Sequence, residues 1–173
     1  MIYNNSQIRR QDRTLDEDSA AKLLKEGEYG VLSMQVEDGN GAYGIPINYV
    51  WDGGNSIYIH CAPAGRKLDC IDACCNVSFC VIGRTKVIPS QFTTAYESIV
   101  LKCTAHRSLH EAERMSALSL LLSKYCPEDK MLGMSYAEKS FHRTEIIRLD
   151  IEEFSFCVVM FGLINVNILY YSF

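Results

Sequence analysis

The chain has little concentrated positive charge. Its 17 Lys and Arg residues are outnumbered by 21 Asp and Glu and are spread along the sequence, giving a net charge of −4 and a pI near 5.6. Nucleic acid is thereby disfavoured as the main partner, because neutralising a phosphate backbone needs a dense basic surface. The first thirty residues contain no apolar core followed by a small-residue cleavage site, so no secretory leader is expected and the cytoplasm is the expected compartment. None of the 8 cysteines stands in a CxxC pair, so a zinc cluster is disfavoured and the set is read as thiols rather than a disulfide framework. No Gly-rich dinucleotide fingerprint follows a strand, and neither a repeat nor a low-complexity linker divides the chain. What remains is one domain of 173 residues, 48% apolar, able to bury a real core.

Charge is also missing from residues 154–173, "FSFCVVMFGLINVNILYYSF". About 20 such residues can cross a bilayer as a helix. Against an anchor stand Asn165, Asn167 and Ser172, the β-branched and aromatic content, and the acidic flank "DIEE". A buried strand, a dimer-contact segment and an unnatural terminus are the other readings. The chain is accordingly divided into a domain over 1–153 and an apolar tail over 154–173.

The periodicity predicts a helix over 14–27, capped by Thr14 or Asp16 and closed by Gly27, with Ala20, Leu23 and Leu24 inward. Strands are predicted over 29–36 and 43–52, joined by the turn "EDGNGA"; Pro46 lacks an amide donor and belongs at an edge, a bulge or an opening of the sheet. A strand over 56–61, a helix over 66–75, and strands over 76–83 and 97–109 follow, the last with Ile99, Leu101 and Cys103 alternating inward. A helix over 110–125 and a final strand over 144–154 complete the pattern. Some six strands adjacent in sequence, with three or four helices, favour an antiparallel barrel with helices outside. Cys70 and Cys74 lie one helical turn apart and are expected to face the barrel; Asp150, Glu152 and Glu153 read as a solvated strand edge.

One stretch carries chemistry: "YIHCAPAGRKLDCI", residues 58–71. A strand ends, a Pro-Ala-Gly bend lets the backbone approach another group, and a helix begins with free amides beside Arg66 and Lys67. Free amides, a positive helix end and two cations suit a phosphate. The plainer alternative is a pair of solvated charges.

The run "YGIPINYVWDGGNSIYIHCAPAGRKLDCI", with "NVSFCVIG", "YESIVLKCTA" and "RTEIIRLDIEEFS", resembles the flavin-binding split-barrel family of pyridoxamine phosphate oxidase, more closely its nitroimidazole-resistance subgroup. The resemblance covers roughly residues 8 to 155. It implies a mainly β fold with flanking helices, a six-stranded antiparallel split β-barrel, which binds FMN as a homodimer and acts as an oxidoreductase on small molecules. By the same resemblance, Arg66 and Lys67 hold the FMN phosphate, and Ala62 and Gly65 let the loop approach it. Ile45, Pro46, Ile47, Asn48 and Tyr49 line the isoalloxazine ring with their backbone. His60 and Cys61 border the ribityl chain and ring, and Ser98 reaches the cofactor from the second subunit. His60 is the candidate for proton handling, against a role in cofactor hydrogen bonding alone; Cys61 reads as packed or ligand-lining. No metal site is expected. The C-terminal Arg and Trp segment that binds substrate in the oxidases proper has no counterpart, which puts vitamin B6 oxidation in doubt and leaves electron-poor nitroaromatics as the implied substrates. A non-catalytic flavin or haem carrier, with His60 as a conceivable axial ligand, is the alternative, and a ligand-free interaction protein is a third reading.

Overall fold

A computed structural model of the chain describes residues 2–3 and 16–159, with side chains described for residues 16–155. The strands are β1 (Ile2–Tyr3), β2 (Gly30–Gln35), β3 (Ala42–Ile47), β4 (Val50–Trp51), β5 (Ser56–Cys61), β6 (Asn76–Ile88), β7 (Thr93–His106) and β8 (Glu145–Val159). The helices are α1 (Glu17–Glu26), α2 (Arg66–Ala73), α3 (Glu111–Tyr125) and α4 (Lys130–Ser140). Seven strands form one sheet in the order β3-β2-β6-β7-β8-β5-β4, every pairing antiparallel, and β1 adds to β8 in parallel.

The fold class is the expected mainly β split barrel with helices around it. Its described strands number eight rather than six, because the predicted strand over 43–52 is two and the two-residue β1 adds another. β3 pairs only with β2 and β4 only with β5, so the chain changes sides of the sheet at Asn48 and Tyr49. The two ends of the sheet are therefore joined covalently by two residues, and the barrel is closed there by chain rather than by a ladder. Pro46 lies exposed on the edge strand β3, where its missing N–H costs no ladder bond.

Alternation builds the core. Leu32, Ile57, Ile59, Phe79, Val81, Ile99, Leu101, Ile147 and Leu149 point inward, each at most 1% exposed. Helix α1 covers one end with Ala20, Leu23 and Leu24; its first turn is held by Asp16, whose carboxylate accepts from the Ser19 amide at 2.8 Å, and Gly27 donates to the Leu23 carbonyl at 2.9 Å. A smaller cluster of Val50, Ala117, Leu118, Leu121 and Ile146 lies under α3.

Three further differences have physical causes. β6 and β7 run well past the predicted 83 and 97 as a projecting hairpin: after a bulge at which the Arg84 amide donates to the Glu97 carboxylate at 3.1 Å, Thr85–Ile88 satisfy their backbone against Thr93–Tyr96 while Thr85, Lys86 and Val87 keep their side chains in water. α4 gives no periodic signal in the sequence, because it buries no residue fully and carries no apolar stripe. Cys70 is buried but Cys74 caps α2 at the half-exposed C-terminal position, so only one of the pair faces the barrel.

β8 continues to Val159, so residues 154–159 of the uncharged segment are strand; residues 160–173, and with them the rest of the tail reading, lie outside the described residues. Among the described residues no helix is long and apolar enough to cross a membrane. The seven cysteines with described side chains are free thiols.

Candidate functional site

The two sheet ends leave a seam. Among the described residues β3 has no partner on its outer side, and β4 covers only Ile57 and Tyr58 of β5, so the edge of β5 from Ile59 to Cys61 is also open. The chain leaves β5 through Ala62 and Gly65 into α2, bringing Arg66 and Lys67 to the seam. The Arg66 guanidinium stacks over the Tyr43 ring of β3, 4.6 Å from its centroid, and this contact ties the helix to the edge strand across the opening.

Gly65 takes φ 131° as the residue before α2, a conformation that L side chains rarely adopt, and a Cβ there would meet open space. Its carbonyl accepts from the amides of Leu68 (2.8 Å) and Asp69 (3.3 Å), and no side chain caps the helix start. The Arg66 and Lys67 amides thus sit at a positive helix end beside their own cations, a donor set suited to a phosphate.

Lys67 is the link to the strand end. It lies close enough to hydrogen-bond Cys61 and to act on His60 by its charge. Partial burial first, and the Lys67 ammonium second, hold the His60 imidazole below its ordinary pKa, so it is neutral at pH 7. Burial pushes the Cys61 thiol up despite Lys67, which keeps it a thiol rather than a thiolate. Alternation separates the two: Cys61 packs against the main core, whereas His60 shares the face of Tyr58.

Of the β3 residues, Ile45 and Ile47 pack inward, while Pro46 and Asn48 are exposed beside a groove shared with Glu28 and Tyr29. Tyr49 presents no side chain to a ligand. Its ring is fully buried, edge-on to Phe79 at 5.0 Å, and its hydroxyl donates to the Leu24 carbonyl at 2.6 Å; burial, and after it the neighbouring Tyr125, raise its pKa.

Ser98 stands apart from this seam. Ile47 pairs with Gly30, Gly30 with Val81 and Val81 with Ile99, so Ser98 is three strand spacings from the end of β3, roughly 14 Å. Along β8, its partner Cys157 is eleven residues from Ile146, the partner of His60. Within one chain Ser98 does not share the seam with Arg66, Lys67 and His60.

The solvated edge expected at Asp150 is instead a half-buried ion-pair network. Arg148 bonds both Asp150 oxygens (2.8 and 3.1 Å) and Glu113 (2.8 Å), while Tyr58 donates to Glu113 at 3.1 Å, Ser56 to Asp150 at 3.0 Å, and His106 lies 3.2 Å from Asp150. These bonds hold the Arg148 guanidinium charged and push the Tyr58 hydroxyl up to about 12, burial being its larger cause. Alternation along β8 puts Arg148 and Asp150 on one face, and the packing of α3 brings Glu113 onto them.

Two residues at the end of α3 carried no sequence signal beyond helix. Lys124 donates to the carbonyls of Gly27 (2.7 Å) and Tyr49 (3.0 Å), with its ammonium 3.8 Å over the Tyr49 ring; burial lowers its pKa to about 8. The Tyr125 hydroxyl accepts from the Tyr49 amide (3.0 Å) and lies 2.6 Å from the Glu28 carbonyl and 2.8 Å from that of Tyr49, with one proton to donate.

A family model described as pyridoxamine 5'-phosphate oxidase matches residues 16–158. No curated protein matches the chain. Among solved structures, a protein of Bacteroides thetaiotaomicron provisionally described as a 5-nitroimidazole antibiotic resistance protein superposes with a TM-score of 0.69 at 16% identity, over 83% of this chain and 86% of its own. An FAD-binding protein of Mesorhizobium loti gives 0.62 at 20% identity over 86% and 98%, and an FAD and haem binding protein of Mycobacterium smegmatis gives 0.65 at 18% over 86% and 73%. At these identities the likeness shows the fold.

Proposed function

From the premise that the chain belongs to the pyridoxamine 5'-phosphate oxidase family, we propose that it is an FMN-binding oxidoreductase that reduces small electron-poor molecules, nitroaromatics being the substrate class. The observation that carries this reading is the convergence of Arg66, Lys67 and the open α2 amides on the unpaired edges of β3 and β5. The donor set fits a phosphomonoester, and the open edges offer backbone N–H and C=O groups to a flat heterocycle.

When bound, the flavin supplies the electron transfer; the protein supplies position and local charge. Arg66, stacked on Tyr43, and Lys67 hold the phosphate. The backbone of Ile45–Asn48 lies along the ring. His60, neutral at pH 7, handles a proton at the strand end, and Lys67 beside it keeps the local field positive, which favours anionic electron-rich states. The position of Ser98, far from the seam of its own chain, supports a homodimer in which Ser98 reaches the partner's cofactor. A haem-binding reading has one supporting observation, since an imidazole held neutral is the form that ligates iron.

Absorption spectra decide between these readings. The protein as purified, and again after incubation with FMN and desalting, is expected to retain flavin bands; a Soret band transfers the function to haem, and no chromophore removes the cofactor reading. Replacing Arg66 and Lys67 together by Ala should weaken FMN binding by roughly a hundredfold through two lost charge-assisted contacts, and unchanged affinity would refute the phosphate assignment. His60→Ala is expected to retain flavin and slow nitroaromatic reduction.

A further inference from the structure

We propose that Lys124 and Tyr125 are positioning residues that hold the barrel seam open for the flavin ring. The inference rests on the flavin reading above. Its starting point is a backbone problem at Tyr49. This residue lies between β3 and β4, and its N–H and C=O have no ladder partner, although the side chain is fully buried. Polar backbone left unpaired beside a core is costly, so something must replace the ladder.

The last turn of α3 does so with adjacent side chains. The Tyr125 hydroxyl accepts from the Tyr49 amide, and Lys124 donates to the Tyr49 carbonyl. Both also reach the connection between α1 and β2: Lys124 to the Gly27 carbonyl, Tyr125 to that of Glu28. Asn48 completes the knot by donating from its amide to the Glu28 carbonyl at 3.0 Å. Gly27 permits the approach, for a Cβ there would lie 2.6 Å from Val81 and 2.7 Å from the Tyr49 hydroxyl.

The knot ties the two-residue crossing to α3 and to Gly27 and Glu28, which lead into β2, the strand that β3 pairs with. With Tyr49 committed to α3, the outer edge from Ile45 to Asn48 stays free of a strand partner and in one conformation. That edge is the wall assigned to the isoalloxazine ring. Lys124 supports the crossing in either protonation state, because an amine supplies the two N–H donors that Gly27 and Tyr49 need as well as an ammonium does. Loss of the knot would leave the crossing mobile and charge ring binding with the entropy of ordering it.

The test titrates wild type, Tyr125→Phe and Lys124→Met with FMN and, separately, with riboflavin, which has the ring and no phosphate; the melting midpoint of each protein without flavin is recorded alongside. Both variants are expected to bind both ligands about tenfold more weakly, as the loss of one or two hydrogen bonds implies, with an altered visible band shape for the bound flavin. The double Ala variant of Arg66 and Lys67 should lose affinity for FMN only. Equal affinities of wild type and both variants overturn the inference and leave the flavin reading intact. Loss for FMN alone, or loss that only tracks a lowered melting midpoint with the bound spectrum unchanged, also overturns it. A wild-type protein that binds neither flavin refutes the reading beneath it.

Discussion

His60 and Lys67 are electrically coupled, and the coupling has a measurable sign. Burial and Lys67 both oppose protonation of the imidazole, so Lys67→Met should move the His60 titration upward while leaving it below the ordinary value, as followed by NMR of the ring protons. An unmoved titration would remove Lys67 as a cause. In folding terms, the unfolded chain binds more protons at this site between the depressed folded pKa and about 6.5. Stability due to His60 therefore falls as pH drops through that window, and His60→Leu should flatten the acid limb of a urea-denaturation series. Gly30 makes a different demand. A Cβ there would stand 2.3 Å from the Phe79 ring, which is fully buried. Gly30→Ala should lower stability by about 1–3 kcal/mol through overpacking, read from the denaturation midpoint at unchanged slope.

At the level of elements, the ion-pair network shows how α3 is fastened. Arg148 on β8 holds Glu113 on α3 and Asp150 on its own strand. Arg148→Met leaves two half-buried carboxylates without their cation and should cost about 1–3 kcal/mol; a change within error would mean water replaces it fully. Helix α2 is fastened likewise, by Arg107 on Asp72 at 2.6 Å. The sequence made α1, β2, β5, α2 and α3 legible because each has a local signal: Asp16 and Gly27 at the ends of α1, alternation in Ser56–Cys61, a stripe at Leu118 and Leu121. It did not reveal the break at Asn48 and Tyr49, since the residues "YGIPINYVW" read equally well as one strand. That break is decided by Lys124 and Tyr125, some 75 residues away. The Arg-Lys pair was visible, but not its stacking on Tyr43, which depends on how the sheet curls. The face of Arg148 looked solvated because nothing local announces that α3 will cover it.

At the scale of the whole molecule, the described residues leave large apolar side chains exposed on the outer side of β6 and β7. Ile82 on β6 and Val100 on β7 are 50% and 41% exposed, on the outward side of strands whose alternate residues form the core, and Val87 and Phe92 project from the β6–β7 hairpin. Such a patch on a chain of this size is a candidate contact surface. The proposed homodimer predicts that sedimentation will find twice the mass of one chain, and that Val100→Glu will lower that mass and flavin retention together. A monomer that still retains flavin would detach Ser98 from the cofactor. The sheet's connectivity also governs how the chain must be born. β5 ends at Cys61, and its long partner β8 begins only at Glu145. With ribosomes adding about 5–20 residues per second, the gap of about 80 residues leaves β5 waiting roughly 4–16 s for its neighbour. For roughly the first three quarters of that wait the knot is missing too, because Lys124 and Tyr125 follow β5 by more than sixty residues. The nascent barrel is thus a hydrophobic half-sheet with an uncovered edge, and its yield in the cell should respond to chaperone supply and translation speed more than the stability of the finished fold would suggest.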